Sequence, residues 1–183
     1  VVDLEKLARH RGSLYGAVGL EPNNQKNFEN LLWQKLELMK GLDGNEFNGS
    51  TKFILVEGES KRIGNIVIPD FFWKLMKKGI NIEVVRSIEE RAKAIVKEYF
   101  DTPDKIEKIK EITSGLNKNI SKVRRSEVIK LFESGKFVEG VTILLTDYYD
   151  PLYSHSLNKI SFYGKICTNN LDDAKTELIK LLS

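Results

Sequence analysis

The chain has 183 residues, 41% hydrophobic and 30% charged, with one Cys, two His and four Pro. That is enough for one domain with a sizeable core, and too apolar for disorder. A single Cys excludes a disulfide framework or a Cys-rich zinc module, two His do not build a His-based metal centre, and the lack of a long apolar run excludes a membrane-spanning helix. The sequence reads as that of a reduced, cytoplasmic protein.

The 29 basic residues against 26 acids give a net charge of +3, which permits a polyanionic partner without demanding one. Basic residues gather at Arg9 and Arg11, at Lys61 and Arg62, at Lys74, Lys77 and Lys78, and from Lys118 to Lys130. Solvated helix faces account for such clusters unless the fold brings them onto one surface.

In chain order, Val1–Leu4 reads as part of a strand, as though the sequence were a piece of a longer polypeptide. Phe28, Leu32, Leu36 and Met39 recur at helical spacing, which predicts a helix over Gln25–Met39 with Asn24 as its cap. A Gly/Asn-rich stretch, Gly41–Ser50, breaks the chain. The apolar run Phe53–Val56 then predicts a strand buried on both faces, as in a parallel sheet.

Pro69–Lys78 reads as a short helix opened by Pro and closed by Gly79. Ile80–Val85 is a second strand, and Ser87-Ile-Glu-Glu90 is a capping box opening another helix. Thr102-Pro103 starts a helical stretch with Ile106, Ile109 and Ile112 on one face. Further helical patterns follow until Pro151, which is expected to stop them. A strand around Ile160–Ile166 and a helix over Leu171–Leu182 finish the chain. The expected class is α/β, with residues 1–100 as a phosphate-binding part, 101–158 as a helical insert and 159–183 returning to the sheet.

Four segments carry chemistry. Glu57, at the carboxyl end of the Phe53–Val56 strand, lies where open α/β sheets bind ligands, and such an acid can hold Mg²⁺ or simply solvate a strand end. Glu59, Ser60 and Arg62 add polar groups to the same corner. Arg9-His10-Arg11-Gly12-Ser13 offers guanidinium forks and a turn suited to phosphate, or a plain solvated loop. Arg91 can swing over a phosphate or pair with a Glu of its own helix. Tyr148, Tyr149 and Tyr153 can stack on bases or pack in a core. Cys167 reads as a packing residue. No Gly-x-x-x-x-Gly-Lys-[Ser/Thr] phosphate loop is present in the sequence.

Taken together these segments resemble tRNA 2-selenouridine synthase, also described as a tRNA 2-thiouridine geranyltransferase and selenotransferase. The resemblance is carried by Asp3-Leu4-Glu5 with Ala8-Arg9-His10-Arg11-Gly12-Ser13, Gln25 with Phe28-Glu29, and Glu57-Gly58-Glu59-Ser60-Lys61-Arg62-Ile63-Gly64. It continues through Pro69, Glu90-Arg91, Glu98-Tyr99-Phe100, Leu144-Leu145, Tyr148-Tyr149-Asp150-Pro151 and Tyr153.

The resemblance implies a P-loop-NTPase-like parallel-sheet domain, incomplete at its N-terminus, acting with a rhodanese domain that bears the catalytic Cys. It implies conversion of wobble 2-thiouridine in tRNA to 2-selenouridine through a geranylated intermediate, with geranyl diphosphate and selenophosphate as donors. It also implies donor contacts from Arg11, Gly12, Ser13, Glu57, Glu59 and Arg62, a lid role for Arg91, and Mg²⁺ at Glu57. Arg9, Lys122, Arg124, Arg125, Tyr149 and Tyr153 are the expected tRNA contacts. The alternatives are a small-molecule phosphotransferase and a non-catalytic tRNA-binding subunit.

Overall fold

The computed structural model describes residues 1–41 and 54–182. The chain divides into two compact units, Val1–Gly79 and Ile80–Ser183.

In the first unit Val2 and Val56 form a single parallel bridge, with the Val2 N–H donating to the Leu55 carbonyl at 2.8 Å. Helix α1, Leu4–Ala8, follows at once, with Asp3 as its cap and Leu4 and Ala8 on its buried side. The helix ends at Arg9, whose φ of 50° is left-handed, and the Arg9 and His10 N–H groups donate back to Lys6 and Glu5. Helix α2, Gln25–Gly41, starts with the Asn24 side chain accepting the Asn27 N–H at 2.9 Å, as its sequence predicts.

Strands β1, Arg62–Ile63, and β2, Ile66–Val67, form an antiparallel hairpin closed by Gly64-Asn65. Gly64 has φ +57°, the backbone conformation that such a turn assigns to Gly. The Gln25 amide clamps this hairpin to α2, donating to the Val67 carbonyl and accepting its N–H, each at 2.8 Å. Helix α3, Asp70–Lys78, follows Pro69 and ends at Gly79. The core joins these pieces through Val2, Leu4, Ala8, Phe28, Leu32, Ile63, Ile66, Ile68 and Phe72.

Two expectations change here. The Val1–Leu4 strand reduces to the bridge at Val2, because Asp3 caps a helix at that point. Of the Phe53–Val56 strand, Phe53 lies outside the described residues, as do positions 42–50 of the Gly/Asn stretch, while Gly41 ends α2. Ile54 and Leu55 are not buried on both faces; they are 54% and 36% exposed, since the described part of this segment pairs only through the Val2–Val56 bridge.

In the second unit β3, Ile82–Val85, pairs in parallel with β4, Gly164–Cys167, from Ile82 opposite Gly164 to Val85 opposite Cys167. The intervening chain is helical: α4, Ile88–Tyr99; α5, Pro103–Ser114; α6, Lys122–Glu133; and α7, Phe137–Leu144. Ser87, Thr102 and Ser121 cap the first three of these with their hydroxyls. The Ser87–Glu90 box is half formed, since the Ser87 N–H donates to Asn169 instead. Phe100, Phe132 and Phe137 pack together with ring centroids 4.8–6.4 Å apart. Gly140 gives the Phe132 ring its room, because a Cβ there would lie 2.5 Å from it.

Pro151 does not stop the helix as the sequence suggests. A π-helical turn, Leu145–Tyr149, precedes α8, Asp150–Leu157, so the ladder widens one turn before the proline. The Asp150 N–H reaches back to the Leu145 carbonyl. Pro151 then sits in the opening turn of α8, where its missing N–H is tolerated. Helix α9, Leu171–Leu182, follows β4.

The result is α/β with a small parallel sheet. Instead of the continuous parallel sheet expected, the described residues hold one antiparallel and one parallel pair.

Candidate functional site

Helix α1 is too short to hold itself, and three carboxylates gather around it. Asp3 accepts the Lys6 N–H at 2.7 Å. Glu57, just after the Val2–Val56 bridge, accepts the Glu5 N–H at 2.9 Å and also bonds the Leu4 backbone. The open N–H groups of the first turn are thus met by acids from two parts of the chain.

Glu5 also hydrogen-bonds Glu59. Burial, then the charge and hydrogen bond of Glu59, then Glu57 and Asp3, push the Glu5 carboxyl up to about 7. Burial likewise raises Glu57, against the backbone N–H bonds that pull it down.

The loop after α1 closes over these acids. Gly12, at φ +62°, lies so close that a Cβ would sit 2.9 Å from both Glu59 carboxylate oxygens and 3.2 Å from Glu5. The loop is tied by Arg11 N–H to Gly16, Ser13 N–H to Arg11 and Gly16 N–H to Ser13, and by Arg11 Nη1 to the Val18 carbonyl at 3.1 Å. The His10 ring sits between Gly16 and Gly64, where added Cβ atoms would come within 2.6 and 2.7 Å of it. Burial holds the His10 pKa below its usual value; Glu59 opposes this and Arg11 adds to it.

Of the expected donor residues, Arg11, Gly12, Ser13, Glu57, Glu59 and Arg62 therefore all lie in the first unit. The glycine contacts bring the Arg9–Ser13 loop onto the Glu57–Gly64 segment. Arg62 is exposed at the start of β1, with its N–H held by the Ser60 hydroxyl at 3.2 Å. Arg9, expected to meet tRNA, is exposed as the cap of α1. Glu5, His10, Gly16 and Gly64 complete the corner. Glu5, His10 and Gly64 stand inside the resembling blocks, but neither their spacing nor their type announced the packing.

A carboxyl titrating near neutrality predicts a pH effect with a defined sign. The folded state keeps the Glu5 proton between about pH 4.5 and about pH 7 while the unfolded chain has lost it, so this contribution to stability falls as pH rises through that window. With screening at a half-exposed group, Glu5→Gln is expected to stabilise the fold by ~1–2 kcal/mol at pH 8 and to change little at pH 4. Urea unfolding at the two pH values checks this, and an equal effect at both would contradict it. His10, with its lowered pKa, acts in the opposite sense below about pH 6.5 and is common to both proteins.

No group of three or more His, Cys, Asp or Glu arranged to hold a metal occurs among the described residues. Mg²⁺ held mainly by water and phosphate oxygens needs only one or two carboxylates, which Glu57 and Glu59 can supply.

The second unit holds the other expected residues. Arg91 forks onto Asp150, with Nη1 and Nη2 at 2.9 and 2.6 Å from the two carboxylate oxygens, in place of the expected alternative of a Glu on its own helix. Arg124 bridges Glu127 and Asp147 at 2.9 and 2.8 Å, and Arg125 bonds the Leu116 carbonyl and Asn117. Tyr149 and Tyr153 stack with centroids 6.1 Å apart, and Tyr148 meets Tyr149 edge-on. Lys122 is exposed at the start of α6 and lines an open groove of about 640 Å³.

The family model described as the tRNA 2-selenouridine synthase AAA domain matches residues 1–126. The chain belongs to this family. Its domain is accordingly of the P-loop-NTPase-like AAA type. A tRNA 2-selenouridine synthase of Hydrogenovibrio crunogenus is 28% identical over 177 residues, covering 86% of this chain and 47% of that protein. One from Shewanella piezotolerans is 26% identical over 184 residues, covering 86% and 48%. One from Nitrosomonas europaea is 33% identical over 102 residues, covering 56% and 25%. The chain spans about half the length of the first two of these curated relatives. No solved structure matches it. No helix among the described residues is long and apolar enough to cross a membrane.

Proposed function

We propose that this chain is part of a cytoplasmic tRNA-modifying enzyme that converts wobble 2-thiouridine to 2-selenouridine through a geranylated intermediate. In this reading it binds tRNA and a phosphate-bearing donor, geranyl diphosphate or selenophosphate, while a rhodanese-like domain supplies the catalytic thiol. The observation that carries the reading is the meeting of two distant family blocks in one corner, Gly12 against Glu59 and His10 against Gly64.

The loop of that corner carries Arg11 and Ser13, and the facing segment carries Glu57, as the group to hold Mg²⁺ through water, and Arg62, exposed at the start of β1.

Arg62 provides the cleanest test, because it is exposed and outside the core. A charge-assisted phosphate contact of ~1.5–3 kcal/mol predicts that Arg62→Ala in the complete protein raises the KM for geranyl diphosphate roughly 10- to 100-fold with the fold intact. An unchanged KM would remove Arg62 from the donor site.

A further inference from the structure

Helix α6 buries Val128 and Phe132 and turns its other side outward, where an open groove runs along it. Three lysines line the groove: Lys122 and Lys130 on α6, and Lys136 at the entry to α7. Ser126 and Ser134 add hydroxyls, and Val123 and Leu131 add apolar surface. The one acid in the lining, Glu127, is already paired with Arg124 at 2.9 Å.

The neighbouring arginines are committed elsewhere. Arg124 is held between Glu127 and Asp147, and Arg125 is bound to Leu116 and Asn117. Cationic heads spaced along a shallow groove, with hydroxyls between them and little uncompensated acid, complement a run of phosphates. Lys122 and Lys130 are eight residues apart, ~12 Å along the helix, which spans several successive phosphates of a strand.

We propose that this groove is the RNA-backbone surface of the chain, with Lys122, Lys130 and Lys136 as its phosphate contacts and Arg124 and Arg125 as structural residues. The proposal rests on the tRNA-modifying reading and names the face that holds the substrate. It replaces the paired arginines of the sequence expectation with lysines that continue past residue 126, where the family match ends. Backbone contacts of this kind position an RNA without reading its sequence.

The test is the salt dependence of binding to an unmodified tRNA transcript, followed by fluorescence anisotropy with the full 183-residue chain. Substituting Lys122, Lys130 and Lys136 together by Gln is expected to lower the slope of log Kd against log salt by about two to three, at ~0.7–0.9 per phosphate contact. Lys26, Lys74 and Lys78 substituted together by Gln serve as a charge-matched control and leave the slope nearly unchanged.

An unchanged slope in the groove variant overturns the proposal, as does an equal loss in the control, which would mark bulk charge. Absence of salt-dependent tRNA binding by the wild-type chain also overturns it. Polyglutamate competing as strongly as tRNA would reassign the groove to an acidic protein. Selenouridine formation by the complete protein is scored separately. If it persists while the groove variant binds tRNA normally, the groove assignment fails and the tRNA-modifying reading stands. If wild-type protein forms none, that reading fails, while the slope still reports on the groove.

Discussion

Gly64→Ala is expected to lower the unfolding free energy by ~2–5 kcal/mol. Two costs combine. At φ +57° an L-residue loses ~1–2 kcal/mol, and the new methyl would come within 2.7 Å of the His10 ring. A ring held on its other side by Gly16 has nowhere to go, so overpacking adds ~1–3 kcal/mol. The second cost depends on His10 and the first does not. In a double-mutant cycle read by urea unfolding, His10→Ala in the Gly64→Ala background recovers part of the loss. A Gly64→Ala penalty of the same size with and without the imidazole would show that the two blocks do not pack as described.

Glu57 separates a structural duty from a catalytic one. Its carboxylate accepts the Glu5 N–H and bonds the Leu4 backbone, and it comes from 52 positions further along the chain to close the end of a five-residue helix. Glu57→Ala leaves those donors without their acceptor and is expected to cost ~1.5–3 kcal/mol. Glu57→Gln keeps an acceptor oxygen and costs well under half of that. If Glu57 also holds Mg²⁺ against the donor phosphate, Glu57→Gln keeps the stability but loses at least tenfold in turnover, because an amide binds Mg²⁺ poorly. Thermal unfolding and turnover measured on both variants distinguish the two duties. Full activity in Glu57→Gln would reduce this acid to a helix cap.

The same residues show what was legible in the sequence. The periodicity of Phe28, Leu32, Leu36 and Met39 fixes α2, and Asn24, Ser87 and Thr102 announce their helices through cap chemistry that needs only local backbone. The hairpin β1–β2 had a local signal too, Gly64-Asn65 between Arg62-Ile63 and Ile66-Val67, but two-residue strands give too short an alternation to read. Asp3 reads as strand because two valines precede it, although its carboxylate makes it a helix cap. Pro151 misled for a different reason: a helix accepts proline when a π turn re-phases its ladder just before, and composition carries no mark of that turn.

The site was legible as two blocks and illegible as a corner. Nothing in the spacing of Gly12, Glu59, His10 and Gly64 states that each glycine makes room for the other block's side chain. That is a consequence of tertiary packing, as is the Arg91–Asp150 fork joining residues 59 positions apart. The basic run from Lys118 to Lys130 was visible as charge. Only the fold divides it into arginines held by acids and carbonyls and lysines that face a groove.

The central claim is tested most directly by digesting tRNA from cells whose only source of this activity is the complete protein containing this chain, and measuring its wobble nucleosides by mass spectrometry. The account predicts 2-selenouridine when selenium is supplied, a geranylated 2-thiouridine intermediate when it is withheld, and a marked loss of both with Arg62→Ala. Unaltered 2-thiouridine in cells carrying the wild-type protein would contradict it.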